Sequence, residues 1–171
     1  MASITIVYFI AVECSSERGF LASLPDSRLS VSSFYGKGQR DGSKSRLNSS
    51  GIHENEGWRA SSNAVGEWIQ ADLRVAVYLY KVDTKGYNNG QFKHWIRTFQ
   101  LKHGLIIDES SFEYVTSSTG GDIITFDANF DADTIVTNTF SPVAARYVRL
   151  YPLAWSRTIT LLWELYGCTK R

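Results

Sequence analysis

The sequence predicts an all-β domain, a sandwich or barrel of about eight short antiparallel strands. Aromatic residues make up 13% of the chain, including nine Tyr, nine Phe and five Trp, and these types favour a pleated, half-buried surface. Apolar and polar residues alternate in short runs separated by Gly-, Pro- and Asn-containing turns. No stretch holds helical spacing long enough to make a helix, and there is no repeat, linker or low-complexity block.

At 171 residues one domain is the economical reading. Residues 1–13 carry an apolar block with no basic residue before it, which fits either a signal remnant or an extra N-terminal strand. Pro25-Asp26-Ser27 is a turn, followed by a strand over Leu29–Phe34. Tyr35–Ser45 is a glycine-rich loop, and Ser49–Asn63 is similarly polar. Strands are expected at Glu67–Leu73, Val75–Val82, Trp95–His103, Phe112–Val115, Ile123–Phe126, Val143–Tyr151 and Thr158–Tyr166. In the last, Ile159, Leu161, Trp163 and Leu165 fall on one face and should line the core, leaving Leu162 and Glu164 on the polar side. Pro152 and Trp155 read as a connection between the final two strands. Residues 169–171 form a tail.

The only cysteines, Cys14 and Cys168, stand just outside the first and last folded segments. Two buried thiols are one reading. The placement favours the other, a terminal disulfide, which would imply an oxidising compartment.

The order and spacing of several motifs resemble the discoidin, or coagulation factor V/VIII type C, domains. They are LPDSRLSVSS (24–33), SRLN (45–48), GW (57–58), EWIQADL (67–73), TKG (84–86), HWIRTFQLKHG (94–104), FDANFD (126–131), ARYVRLYPLAW (145–155) and ELYGC (164–168). The resemblance covers residues 14–168. It implies an eight-stranded jelly-roll-like antiparallel β-barrel or sandwich, stapled by a Cys14–Cys168 disulfide. Two positions depart from the pattern: Leu162 stands where the family usually has Arg, and Arg74 where it often has Gly. Arg146 or Arg149 is expected to supply the missing cation to Asp72 or Glu164.

A net charge of +1 argues against a nucleic-acid partner. No catalytic constellation appears. His53 with Glu54 and Glu56 lacks the histidine spacing of a zinc helix and sits in a glycine-flanked loop. Asp127, Asn129, Asp131 and Asp133 look superficially like Ca2+ ligands but match a turn that the family carries generally. No cofactor is expected, and the chain is read as a binding module rather than an enzyme. Asn48-Ser49-Ser50 is a glycosylation sequon if the chain is secreted.

Members of the resembled family bind through loops at one end of the barrel, so the ligand must be read there. Sugar recognition needs an aromatic face flanked by hydrogen-bonding side chains. Tyr35, Lys37, Arg40, His53, Arg59, Asn63, Tyr87, Asn88, Asn89, Gln91 and Phe92 supply that mixture. The expected ligand is an extracellular or cell-surface glycan of galactose type, bound by a secreted module. One alternative is an anionic phosphatidylserine membrane met by Phe92, Val65, Lys37, Arg40 and Arg59; another is an extracellular protein. A single-module lectin would gain avidity from homo-oligomerisation.

Overall fold

The computed structural model describes residues 16–36, 41–47 and 57–169. Residues 1–13, Cys14 and Asn48 lie outside these, so the N-terminal alternatives, the disulfide partner and the sequon are not addressed by it.

Ten strands form among the described residues: β1 (Arg18–Gly19), β2 (Leu29–Val31), β3 (Trp58–Arg59), β4 (Ile69–Lys85), β5 (Tyr87–Asn88), β6 (Lys93–Gly104), β7 (Glu113–Tyr114), β8 (Phe126–Asp127), β9 (Val136–Ser156) and β10 (Thr160–Cys168). All strand pairs are antiparallel, along the path β1-β10-β4-β9-β6-β5. The jelly-roll-like, all-β class stands, but the path is open and the sheet does not close into a barrel.

Two long strands organise the molecule. The predicted strands Glu67–Leu73 and Val75–Val82 are one strand, β4, which turns a corner where the register with β9 breaks between Asp72 and Val77. Arg74 sits at this corner with φ +71°, a left-handed conformation that suits glycine and strains a residue with a Cβ. On one edge β4 pairs with β9 on both sides of the corner; on the other it takes β2 before the corner and β10 after it.

Pro152 is not in a connection, as the sequence suggested, but inside β9, which runs on to Ser156. There β4 has already ended, with Ile69 opposite Leu150, and a register shift near Phe99 loosens the β6 side. A residue without an N–H is tolerated at such a place. The turn between β9 and β10 falls at Arg157, φ +65°.

Ile159, Leu161, Trp163 and Leu165 are fully buried, as their alternation predicts. The other face of β10 is buried as well: Thr160, Leu162 and Glu164 expose no more than 4%. Leu162 packs where a Cβ on Gly57 would lie 3.3 Å from its Cδ1. Glu164 accepts from the backbone N–H groups of Phe20, Leu21, Ala22 and Leu165 at 2.6–3.0 Å, pinning the N-terminal turn to the strand. Burial pushes its carboxyl above the ordinary value, against the pull of these four donors. Leu162 pairs with Lys85, at the other end of β4 from Asp72, which pairs with Tyr147. Asp72 does gain Arg146, as expected, and Arg28 as well. Arg149 instead reaches Gln70 and Glu109.

Cys168 is fully buried beside a β-bulge at Tyr166/Gly167. Only glycine fits there, since a Cβ on Gly167 would lie 1.9 Å from the Tyr78 carbonyl oxygen.

Candidate functional site

The loop end is built around the start of β10, where Thr160 pairs with Arg59 on β3 and Leu162 with Lys85 at the end of β4. Trp58 is fully buried and donates through Nε1 to the Ser33 carbonyl at 2.8 Å. The next residue, Arg59, must therefore turn outward. Its guanidinium lies 4.0 Å from the centroid of the Tyr35 ring, while its carbonyl accepts from Tyr35 N–H at 2.8 Å. This stacked pair presents a cation and a phenol together. Tyr35 remains 52% exposed, and Phe34, absent from the sequence-based site, is 42% exposed beside it.

Below this pair, Glu67 accepts from the hydroxyls of Ser32, Ser33 and Ser62, tying two loops to one carboxylate. Burial raises its pKa, but the three hydroxyls outweigh it and leave the group below its ordinary value. Asn63 is a clamp as well. Its Oδ1 accepts from Ile159 N–H at 2.9 Å, and its Nδ2 donates to the Arg157 carbonyl at 3.2 Å. Both ends of the amide are spent on holding the β9–β10 turn.

The second part of the site is the hairpin from β5 to β6. Tyr87 faces His94 across the ladder, and both are buried. The two rings stack at 6.3 Å, and Phe92 stacks on His94 at 6.2 Å, with interplanar angles of 15° and 16°. These separations fit offset stacking. Phe92 is the outer layer of this three-ring pile and is 45% exposed. Gly86, at the base, admits no side chain: a Cβ would lie 2.7 Å from both Ala132 Cα and the His94 carbonyl oxygen.

The turn consumes much of the polar capacity predicted for it. Asn88 Nδ2 donates to both carboxylate oxygens of Asp133 at 2.9 Å, and its Oδ1 accepts from Gly90 N–H. Asn89 Oδ1 accepts from the N–H groups of Gln91 and Phe92. Gln91 is exposed at the tip. Lys37, Arg40 and His53 lie outside the described residues. The structure thus brings Tyr35 with Arg59 and Tyr87 with Phe92, and places Asn63, Asn88 and Asn89 as supports. His94 is absent from the sequence-based site. Its place opposite Tyr87, across the turn-forming Asn88–Gln91, was the signal that could have found it.

The acidic run serves its own turn. Asp131 accepts from Asp133 N–H, Thr134 N–H and Thr134 Oγ1, bonds that hold its carboxyl below the ordinary range. Asn129 donates to the carbonyls of Thr84 and Thr134. Among the described residues no three carboxylate, imidazole or thiol groups converge as metal ligands.

Residues 28–165 match the model of the F5/8 type C domain. Neuropilin-1 of Xenopus laevis is 33% identical over 142 residues, covering 82% of this chain and 14% of its own length. Mouse lactadherin is 32% identical over 165 residues, covering 93% of this chain and 35% of its own. The chain therefore spans little more than a third of either relative at most. Among solved structures, recombinant discoidin II of Dictyostelium discoideum superposes with a TM-score of 0.74 at 24% identity, over 91% of this chain and 60% of that one. The family 32 CBM from C. perfringens NanJ, solved in complex with galactose, gives 0.60 at 16% identity, over 89% of this chain and all of its own. These two likenesses are of fold.

Proposed function

The chain belongs to the F5/8 type C (discoidin) domain family of non-catalytic binding modules, and from that premise we propose that it binds a glycan at this loop end, as a secreted protein. The observation that carries the reading is the three-ring pile capped by exposed Phe92. A preformed aromatic face suits the C–H surface of a pyranose, and Arg59 and Gln91 supply donors for its hydroxyls. That a module of the same fold was solved with galactose supports sugar of that type as the first to try.

A second reading has its own observation. Val65 is 70% exposed at the same end as Phe92 and Phe34, as apolar tips on a membrane surface would be. Three partly exposed tips would yield about 4 kcal/mol, a millimolar affinity, unless basic residues add attraction to anionic lipid. Capture of an extracellular protein by the same loops is the remaining alternative.

Glycan-array binding tests the proposal. Wild-type protein should bind a subset of sugars, and Phe92→Ala and Arg59→Ala should lose it while remaining folded. A blank array, with sedimentation on phosphatidylserine vesicles that weakens as salt rises, would move the assignment to membranes.

A further inference from the structure

A groove of about 480 Å³ lies between β6 and the segment that follows β8. Trp95, Arg97, Asp127, Asn129 and Phe130 line it. Trp95 follows His94 on β6 and so points to the opposite face from the ring pile. Asn129 is held by Ala128 and Asn129 N–H bonds to the Arg97 and Ile96 carbonyls, and by its own Nδ2 bonds.

Two features of this groove have no structural explanation. Among the described residues, Trp95 Nε1 and Asn129 Oδ1 are both buried without a hydrogen-bond partner, although Asn129 is only 3% exposed and its Nδ2 is doubly bonded. One is a donor and the other an acceptor. Unpaired polar atoms so placed are costly, and native proteins seldom keep them without a purpose. At the rim, Arg97 and Asp127 are exposed, and neither enters an ion pair among the described residues. Phe130, also at the rim, is 73% exposed.

We propose that this groove is a second saccharide site, distinct from the loop end, in which one sugar hydroxyl accepts from Trp95 Nε1 and donates to Asn129 Oδ1. A hydroxyl does both at once, which a carboxylate or an ammonium cannot. Arg97 and Asp127 bond neighbouring hydroxyls, the groove wall opens enough to uncover the two buried atoms, and the exposed Phe130 ring packs against the pyranose. The volume suits one or two sugar rings. An oligosaccharide could then engage both places on one module.

The test follows the indole N–H signals of isotope-labelled protein during titration with galactose, N-acetylgalactosaminyl-β-1,3-galactose and chitotriose. Trp95→Phe identifies the Trp95 signal by its loss and keeps the fold, since it removes an unpaired donor. The signal should move with at least one sugar, in wild type and equally in Arg59→Ala, which disables only the loop end. Arg97→Ala should weaken the response roughly tenfold, the loss of about one charged hydrogen bond. A Trp95 signal that stays still with every probe overturns the second site, whatever the loop end does. So does a solved sugar complex in which only an ordered water bridges Trp95 and Asn129.

Discussion

Arg146 grips Asp72 with two prongs, Nε to Oδ1 at 2.9 Å and Nη2 to Oδ2 at 3.2 Å, at the corner of β4. Arg28 reaches the same carboxylate at 2.6 Å. Burial raises the Asp72 pKa, but Arg146, the Arg74 N–H and Arg28 together lower it to about 2. A depressed folded-state pKa contributes stability above the unfolded value of 3.8 and loses it as pH falls toward 2. The side chain is only 14% exposed, so the contribution is about 2 kcal/mol. Asp72→Asn should lower urea stability by about that amount at neutral pH. Its unfolding free energy should also lack the part of the wild-type acid dependence that falls in this window. Parallel curves for the two proteins would contradict the linkage.

Arg74 stands two residues on, at φ +71°, its N–H bonded to Asp72 Oδ1 at 2.9 Å. Arg74→Gly should relieve left-handed strain of about 1–2 kcal/mol, less what glycine loses in chain entropy, for a net gain of about 0.5–1 kcal/mol. A urea midpoint that rises without a change in slope is the expected result. A fall would mean that the Arg side chain, not the backbone, matters at the corner.

Glu164 is the clasp of the N-terminal turn. In Glu164→Ala the N–H groups of Leu21 and Ala22 lose their acceptor, whereas Phe20 N–H keeps the Leu165 carbonyl at 3.0 Å. The cost should be about 2–4 kcal/mol, with hydrogen exchange accelerating first at residues 20–22. Uniform acceleration across the domain would argue that the carboxylate supports the whole core instead.

The buried Cys168 leads to a chemical prediction. We propose that it is joined to Cys14; in the chain-entropy model so long a loop is worth about 4–5 kcal/mol. Non-reduced peptide mapping should find the linked pair, and reduction should lower the thermal midpoint. Two alkylatable thiols in native, unreduced protein would rule the staple out.

The core was legible where apolar residues alternate along a strand. Ile159 to Leu165 and Ile69, Ala71 and Leu73 followed their alternation inward. Pattern failed where a strand is covered on both sides, as at Leu162 and Glu164, because the covering segments are distant loops with no periodicity. It also failed at the β4 corner, where one strand bends without a Gly or Pro to mark it, and over 136–142, where few apolar residues announce the first third of β9. For the site, residue types pointed to these loops but could not tell exposed groups from supports. Asn63, Asn88 and Asn89 are suited to sugar by chemistry, and the fold uses their amides to hold its own turns. The stacked rings emerge only once Tyr87, Phe92 and His94 are placed in register.

The Phe92–His94–Tyr87 pile with Arg59 is the proposed sugar platform. The most direct measurement is calorimetric titration of galactose into wild type and Phe92→Ala, with phosphatidylserine vesicles tested in parallel. The expected result is saturable sugar binding that falls at least roughly tenfold in the variant, with little vesicle binding at physiological salt. No heat with galactose or any array-positive sugar, together with vesicle binding that depends on Phe92, would contradict it.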